Sequence, residues 1–155
     1  MVMNFNEKAP DFTLPDENGE PVTLSSFKGK PVVLFFYPRA NTPGCTVEAC
    51  GFRDTYAKLT RAGLTVLGIS PDTPKAQKKF QEKFSLPYTL LADADKVVAK
   101  LFDVLKEKNM YGKKVMGIER TTFLIAPDGT ISHVWRKVKP EGHVDQILAD
   151  TKPHK

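Results

Sequence analysis

The run Pro31-Val32-Val33-Leu34-Phe35-Phe36-Tyr37, followed by Pro38-Arg39-Ala40-Asn41-Thr42-Pro43-Gly44-Cys45-Thr46-Val47-Glu48-Ala49-Cys50, decides how this chain is read. The first part is continuously apolar and rich in β-branched and aromatic residues. That is the pattern of a strand buried on both faces. Thr42 is a good N-cap and Pro43 suits the first helical position, so a helix is expected to begin at Pro43 with Cys45 in its first turn. A thiol placed there meets free backbone N–H groups and the positive end of the helix dipole. Both favour the thiolate, the nucleophilic form of cysteine.

Downstream, the helical pattern runs from Pro43 to about Arg61, with Val47, Phe52, Tyr56 and Leu59 on its apolar face. Gly51 weakens it and Gly63 stops it. Leu64-Thr65-Val66-Leu67-Gly68-Ile69 reads as a second buried strand, completing a right-handed βαβ unit with parallel strands. Asp72-Thr73-Pro74 repeats the cap-and-proline start, and Ala76, Phe80 and Phe84 recur along one face of the helix that follows. Tyr88–Ala92 is a short strand, and Asp93-Ala94-Asp95 opens a helix to about Phe102. Residues 105–117 are polar and are expected to form an exposed excursion. Thr121–Ala126 and Ile131–Trp135 flank Pro127-Asp128-Gly129, a β-hairpin signal, and a last helix spans Gly142–Asp150 before a polar tail. Upstream, Phe12–Leu14 and Pro21–Leu24 flank Asn18-Gly19 as an N-terminal hairpin, and Ser25 caps a short turn to Gly29. The alternation predicts one α/β domain over residues 1–155, with a central mixed sheet flanked by helices and a hairpin extension at the N-terminus.

Composition narrows the class. The 155 residues are 41% hydrophobic and 26% charged, ordinary for a globular protein with a real core. The two cysteines make no disulfide framework, and the N-terminus lacks an apolar h-region. No run approaches membrane-spanning length, so a reducing cytoplasm is the expected compartment. The net charge of +5 raises the question of nucleic acid, but the lysines are scattered and interleaved with acids. They read as solvated faces, and neither a nucleic-acid partner nor a membrane is expected.

In sheets of this kind, ligand sites lie at the carboxyl ends of the parallel strands, and Cys45 follows such an end. A nucleophile there needs a donor for developing charge. Arg120 begins the inner strand of the C-terminal hairpin, expected to run antiparallel to strand 31–37, and so projects toward Cys45. An inert buried thiol and a surface salt-bridge arginine are the plainer alternatives. His133 and His143 have no matching ligands and read as structural or solvated. The cysteines without paired histidines make a poor zinc site. No Cys-x-x-Cys is present, which argues against a general dithiol oxidoreductase, and neither a phosphate loop nor a nucleotide fingerprint is found. In an ideal helix, residues i and i+5 lie about 140° apart around the axis, with Cα atoms roughly 8.7 Å apart. A disulfide needs about 7 Å or less, so Cys45 and Cys50 can bond only if the helix opens.

The pattern Pro38-x-x-x-Thr42-x-x-Cys45 resembles the active-site signature of the peroxiredoxins. The wider context, Phe36-Tyr37-Pro38 through Thr42-Pro43-Gly44-Cys45-Thr46-x-Glu48-Ala49-Cys50-x-Phe52-Arg53-Asp54, is similar to the bacterioferritin comigratory, or Q-type, branch. Ala9-Pro10-Asp11-Phe12-Thr13-Leu14, Val66-Leu67-Gly68-Ile69-Ser70 and Gly117-Ile118-Glu119-Arg120-Thr121-Thr122-Phe123-Leu124-Ile125 extend the likeness over nearly the whole chain.

The resemblance implies a thioredoxin-like fold and thiol-dependent reduction of hydrogen peroxide or organic hydroperoxides. It implies that Cys45 is the peroxidatic and Cys50 the resolving cysteine, with Pro38, Thr42 and Arg120 around them. It further implies an intramolecular disulfide recycled by thioredoxin or a similar dithiol, without metal or organic cofactor. A monomer is expected, because no exposed apolar stripe is evident. Two other readings remain open on the sequence. One is a redox sensor that hands its disulfide to a partner, and the other is a holdase with vestigial cysteines.

Overall fold

A computed structural model describes residues 7–150 apart from Asn41, Tyr111 and Pro140. The polar tail foreseen after Asp150 lies outside the described residues. The chain begins with a hairpin, β1 (Thr13–Pro15) and β2 (Pro21–Thr23), and a 3-10 turn at Leu24–Phe27. Ser25 does not cap that turn through its hydroxyl. Its backbone N–H is instead taken by the Asp11 carboxylate at 2.9 Å. There follow β3 (Val32–Phe36), α1 (Pro43–Asp54), α2 (Tyr56–Arg61), β4 (Thr65–Ser70), α3 (Pro74–Phe84), β5 (Thr89–Ala92), α4 (Val97–Leu101), β6 (Leu105–Met110), β7 (Lys113–Ile118), β8 (Thr121–Ile125), β9 (Ile131–Trp135) and α5 (His143–Asp150).

The central sheet has the order β5-β4-β3-β8-β9, parallel through the first three strands and antiparallel beyond. This is the thioredoxin-like arrangement, a mixed sheet covered on both faces. Strand β3 is fully buried, as its sequence requires, and its side chains divide between two cores. Val32, Leu34 and Phe36 join one core, with Phe102, Phe123 and Val98. Val33, Phe35 and Tyr37 join the other, with Phe52, Phe80, Tyr88, Ile147 and Cys45. The period of two along the strand thus assigns each residue to a layer. Phe35 stacks on Phe52 of α1 at 4.4 Å between centroids, and this fixes the helix against the sheet.

Three expectations from the sequence need correction. The helix from Pro43 does not run unbroken to Arg61. Thr55, with φ −107° and ψ 4°, leaves the helical region and separates α1 from α2. The break comes at this β-branched residue and not at Gly51, and it turns Leu59 into the second core. The helix foreseen from Asp93 starts at Val97. The Asp93 carboxylate still serves its start, accepting the N–H groups of Val98 at 3.2 Å and Ala99 at 2.8 Å. Residues 105–117 are exposed over much of their length, as expected, but they are paired as the antiparallel ribbon β6–β7, in register from Leu105↔Ile118 to Met110↔Lys113. Gly112, at φ +77°, serves the tight turn between them, where a side chain would be strained.

Other signals hold. The Thr73 hydroxyl caps α3 by accepting the N–H of Ala76 at 3.2 Å. The hairpin β8–β9 turns at Asp128-Gly129, where Asp128 accepts from the Thr130 backbone and hydroxyl.

Gly68 sits mid-strand in β4 because nothing larger fits. A Cβ there would stand 2.9 Å from both Leu90 Cδ2 and Phe35 Cζ. Gly68→Ala is expected to destabilise the fold by about 1–3 kcal/mol through overpacking, read as a lowered denaturation midpoint. An unchanged midpoint would show that the second core can make room for the added methyl group.

Candidate active site

The β3–β8 pairing sets Phe36 opposite Thr121, so the start of β8 lies beside the end of β3. Arg120, immediately before β8, therefore faces the first turns of α1. Its Nη2 donates to Cys45 Sγ at 3.4 Å and its Nη1 to Glu48 Oε1 at 2.9 Å. The arginine foreseen from strand direction alone thus reaches the cysteine, and it holds a carboxylate as well.

Cys45 is in the first turn of α1 and is 1% exposed. Cys50 lies five residues on in the same unbroken helix, half-buried, and both are free thiols. Residues i and i+5 of a helix have Cα atoms roughly 8.7 Å apart, too far for a disulfide, so the two thiols cannot bond in this conformation. Pro38 and Thr42 bracket the loop from β3 to α1 and are half-buried. Thr42 has the extended backbone of an N-cap, and its carbonyl accepts the first helical N–H, from Thr46, at 2.8 Å. Its hydroxyl, however, does not cap the helix. It donates to the Arg39 carbonyl at 2.9 Å, which leaves its lone pairs for another donor.

The loop is fastened from the far side. Asp72 Oδ2 accepts the Ala40 N–H at 2.8 Å and the Ser70 hydroxyl at 2.6 Å. Gln77 Nε2 donates to Ser70 Oγ and to the Leu91 carbonyl, and Tyr37 donates its hydroxyl to Gln77 Oε1. In the sequence Asp72 looks like part of a helix start; in the structure Thr73 takes that part and Asp72 anchors the loop.

Glu48 is the residue that sequence reasoning passed over. Its side chain is fully buried, and Oε2 has no hydrogen-bond partner. Burial pushes its carboxyl pKa up, against the opposing pull of Arg120, from 4.5 to about 7. For Arg120 burial acts downward, but Glu48 and Cys45 outweigh it and hold the guanidinium above its ordinary value. A glutamate in a helix reads as surface. Only its spacing of three from Cys45, on the same face, hints otherwise.

His143 is buried and structural, with Nε2 bonded to Thr122 Oγ1 at 2.7 Å. Burial lowers its pKa from 6.5 to about 4. His133 stacks on Trp135. Among the described residues, no group of three or more His, Cys, Asp or Glu could hold a metal ion.

The site is thus a buried thiol at a helix start, facing a guanidinium that is itself held by a buried carboxylate. It can stabilise a sulfur anion and negative charge leaving from it. The AhpC/TSA family model matches residues 5–134. The chain is 49% identical over 146 residues to peroxiredoxin Bcp of Escherichia coli K12, covering 94% of each. A solved structure of peroxiredoxin Q from Xanthomonas campestris is 41% identical, with a TM-score of 0.90 over 97% of this chain and 98% of that one. A structure of the bacterioferritin comigratory protein of the same organism, studied for its alkyl peroxide reduction activity, is 40% identical, with a TM-score of 0.89 over 95% of this chain and 96% of that one. By motif, fold and relatives alike, the chain belongs to the AhpC/TSA family, as a thiol-dependent peroxidase of its Bcp, or peroxiredoxin Q, branch.

Proposed function

We propose that Cys45 is the nucleophile that reduces hydrogen peroxide and organic hydroperoxides, and that Cys50 resolves the product as an intramolecular disulfide. The observation that carries this reading is Arg120 bridging the Cys45 sulfur and the buried Glu48 carboxylate. The thiolate attacks one peroxide oxygen and the O–O bond breaks. The sulfur becomes a sulfenic acid, and the other oxygen leaves and takes a proton to become water or an alcohol. Arg120 stabilises the charge that develops on the departing oxygen, and Glu48 fixes the guanidinium for that task. Thr42 accepts the peroxide O–H with the lone pairs that its bond to Arg39 leaves free. Pro38, without an N–H to hydrate, shields the sulfur from water.

The sulfenic acid then condenses with the Cys50 thiol, releasing water and forming the disulfide. An external dithiol, thioredoxin or a protein like it, restores both thiols by exchange. The cycle suits a reducing cytoplasm. Among the described residues, no helix is long and apolar enough to cross a membrane. Both cores share one sheet, which supports a single domain over residues 1–155. The large exposed apolar residues among those described are Val47, Val97, Leu101 and Met116, too few and too spread over three elements to oppose a monomer. The alkyl peroxide activity ascribed to the Xanthomonas campestris protein favours organic hydroperoxides as substrates.

Arg120→Met is expected to slow peroxide reduction by about two orders of magnitude or more. The single variant also strands the buried Glu48, at a cost of about 3 kcal/mol. Adding Glu48→Gln should restore stability but not rate, separating the two roles. A rate close to that of the unmodified protein in either variant would remove Arg120 from the chemistry. Glu48→Gln alone has a pH signature. The folded protein keeps the Glu48 proton up to about 7, whereas the unfolded chain releases it near 4.5. The unmodified protein should therefore lose stability relative to Glu48→Gln as pH rises across that window. His143 works in the opposite sense between about 4 and 6.5 but is common to both proteins and cancels in the difference. A difference that stays flat with pH would mean Glu48 is ionised throughout.

Cys50→Ser should consume one equivalent of peroxide, stop as the sulfenic acid, and gain a second oxygen when more peroxide is added. Intact mass follows each state. If the unmodified protein, after one equivalent of peroxide, keeps an added oxygen instead of losing two hydrogens as a disulfide, Cys50 is not the resolving thiol.

A further inference from the structure

Beyond the Arg120–Cys45 contact, hydrogen bonds among the described residues tie helix α1 to the body of the protein at Glu48, Ala49 and Arg53. Arg120 holds Glu48. Tyr88 donates its hydroxyl to the Ala49 carbonyl at 2.7 Å. Arg53 Nη1 donates to the Phe84 carbonyl at 2.9 Å. Glu48 and Ala49 both lie between the two cysteines, whereas Arg53 lies beyond both. Of the two inner ties, only that of Tyr88 takes a backbone carbonyl, and Ala49 adjoins Cys50. The Tyr88 ring is clamped by Phe35, Phe52 and Tyr56 at 5.8, 6.3 and 6.2 Å between centroids, and the residue is 3% exposed. The ring therefore cannot follow Ala49 if the helix opens, and its hydroxyl would be left without water in exchange.

For Cys45 and Cys50 to bond, the backbone between them must leave the helical path, and the Ala49 carbonyl must turn with it. The Tyr88 hydroxyl bond exists in the closed helix and is lost in the open one. We propose that Tyr88 is a positioning residue that latches α1 closed, and so sets how the Cys45 sulfenic acid divides between two fates. In one, the sulfenic acid and the Cys50 thiol form the disulfide and water. In the other, a second peroxide transfers an oxygen to give the sulfinic acid and water or alcohol. The first fate requires opening and the second proceeds in the closed site. Burial, and after it the neighbouring Tyr37, Glu48 and Cys50, hold the Tyr88 pKa well above its ordinary value, so the hydroxyl remains a donor at any working pH. The proposal rests on Cys50 being the resolving thiol.

Tyr88→Phe tests it, since the ring stays and only the latch is removed. Rapid-quench intact mass after one equivalent of hydrogen peroxide reads both steps. Sulfenic acid formation should stay within about twofold. Disulfide formation should be faster by about fivefold, the factor carried by one net hydrogen bond. The peroxide concentration that half-converts Cys45 to sulfinic acid should rise by a similar factor. Amide exchange at residues 50–53 of the reduced variant should quicken alongside. Unchanged disulfide formation and an unchanged sulfinic threshold would overturn the latch while leaving Cys50 as the resolving thiol. A slowed first step with no change in the second would also overturn it, reducing Tyr88 to a packing residue. Absence of any Cys45–Cys50 bond in the unmodified protein would instead overturn the assignment of Cys50, a separate result of the same mass measurement.

Discussion

A buried carboxyl group with one good partner governs this structure. Glu48 has lost all contact with water, and Arg120 is the cation that compensates it. Neither can move alone without leaving a charged or polar group unpartnered in an apolar surround, which is costlier than losing a surface pair. The guanidinium is thereby fixed, and its second donor falls on the Cys45 sulfur. Fixing a donor before the substrate arrives is what lets it act on developing charge without reorganising. The unpartnered Oε2 of Glu48 shows that the arrangement carries a cost in stability, of the kind tolerated at functional sites.

The fold exists, from this viewpoint, to bring residues 45 and 120 together. The antiparallel register of β3 against β8 sets the head of one strand beside the tail of the other. The Phe35–Phe52 stack seats α1 on the sheet, and Asp72 holds the loop from which that helix starts. Cys50 rides on the same helix but is half-buried and outside this grip. In the proposed cycle, reduction of peroxide uses the closed helix, and disulfide formation between Cys45 and Cys50 requires that it open. The two steps therefore make opposing demands on one short segment, and the ties along it decide how far each is met.

Much of this was legible in the sequence because it follows from burial. The apolar run of β3, the cap-and-proline starts, the Asp128-Gly129 turn and the strand direction that aims Arg120 at Cys45 are all local consequences of residue type. What escaped has physical reasons. The β6–β7 ribbon buries Ile118 fully and Leu105 in part against the first core, so its sequence carries little alternation to read. The break at Thr55 depends on where the second core lies, not on local propensity. Thr42 occupies a cap position, yet its hydroxyl goes to Arg39, a choice set by the loop conformation. Glu48 and Tyr88 act through partners 72 and 39 residues away in the chain, a relation that no local pattern expresses.

In the proposed cycle, α1 holds the two sulfurs apart when closed and must open between them before they can bond. Amide hydrogen exchange of the reduced and oxidised protein across residues 43–55 tests it most directly. With the Cys45–Cys50 bond confirmed by mass, the account predicts strong protection in the reduced form and its loss across the first turns of α1 in the oxidised form. Protection from residue 56 onward, in α2, should be unchanged. Equal protection of residues 43–55 in both forms would contradict it.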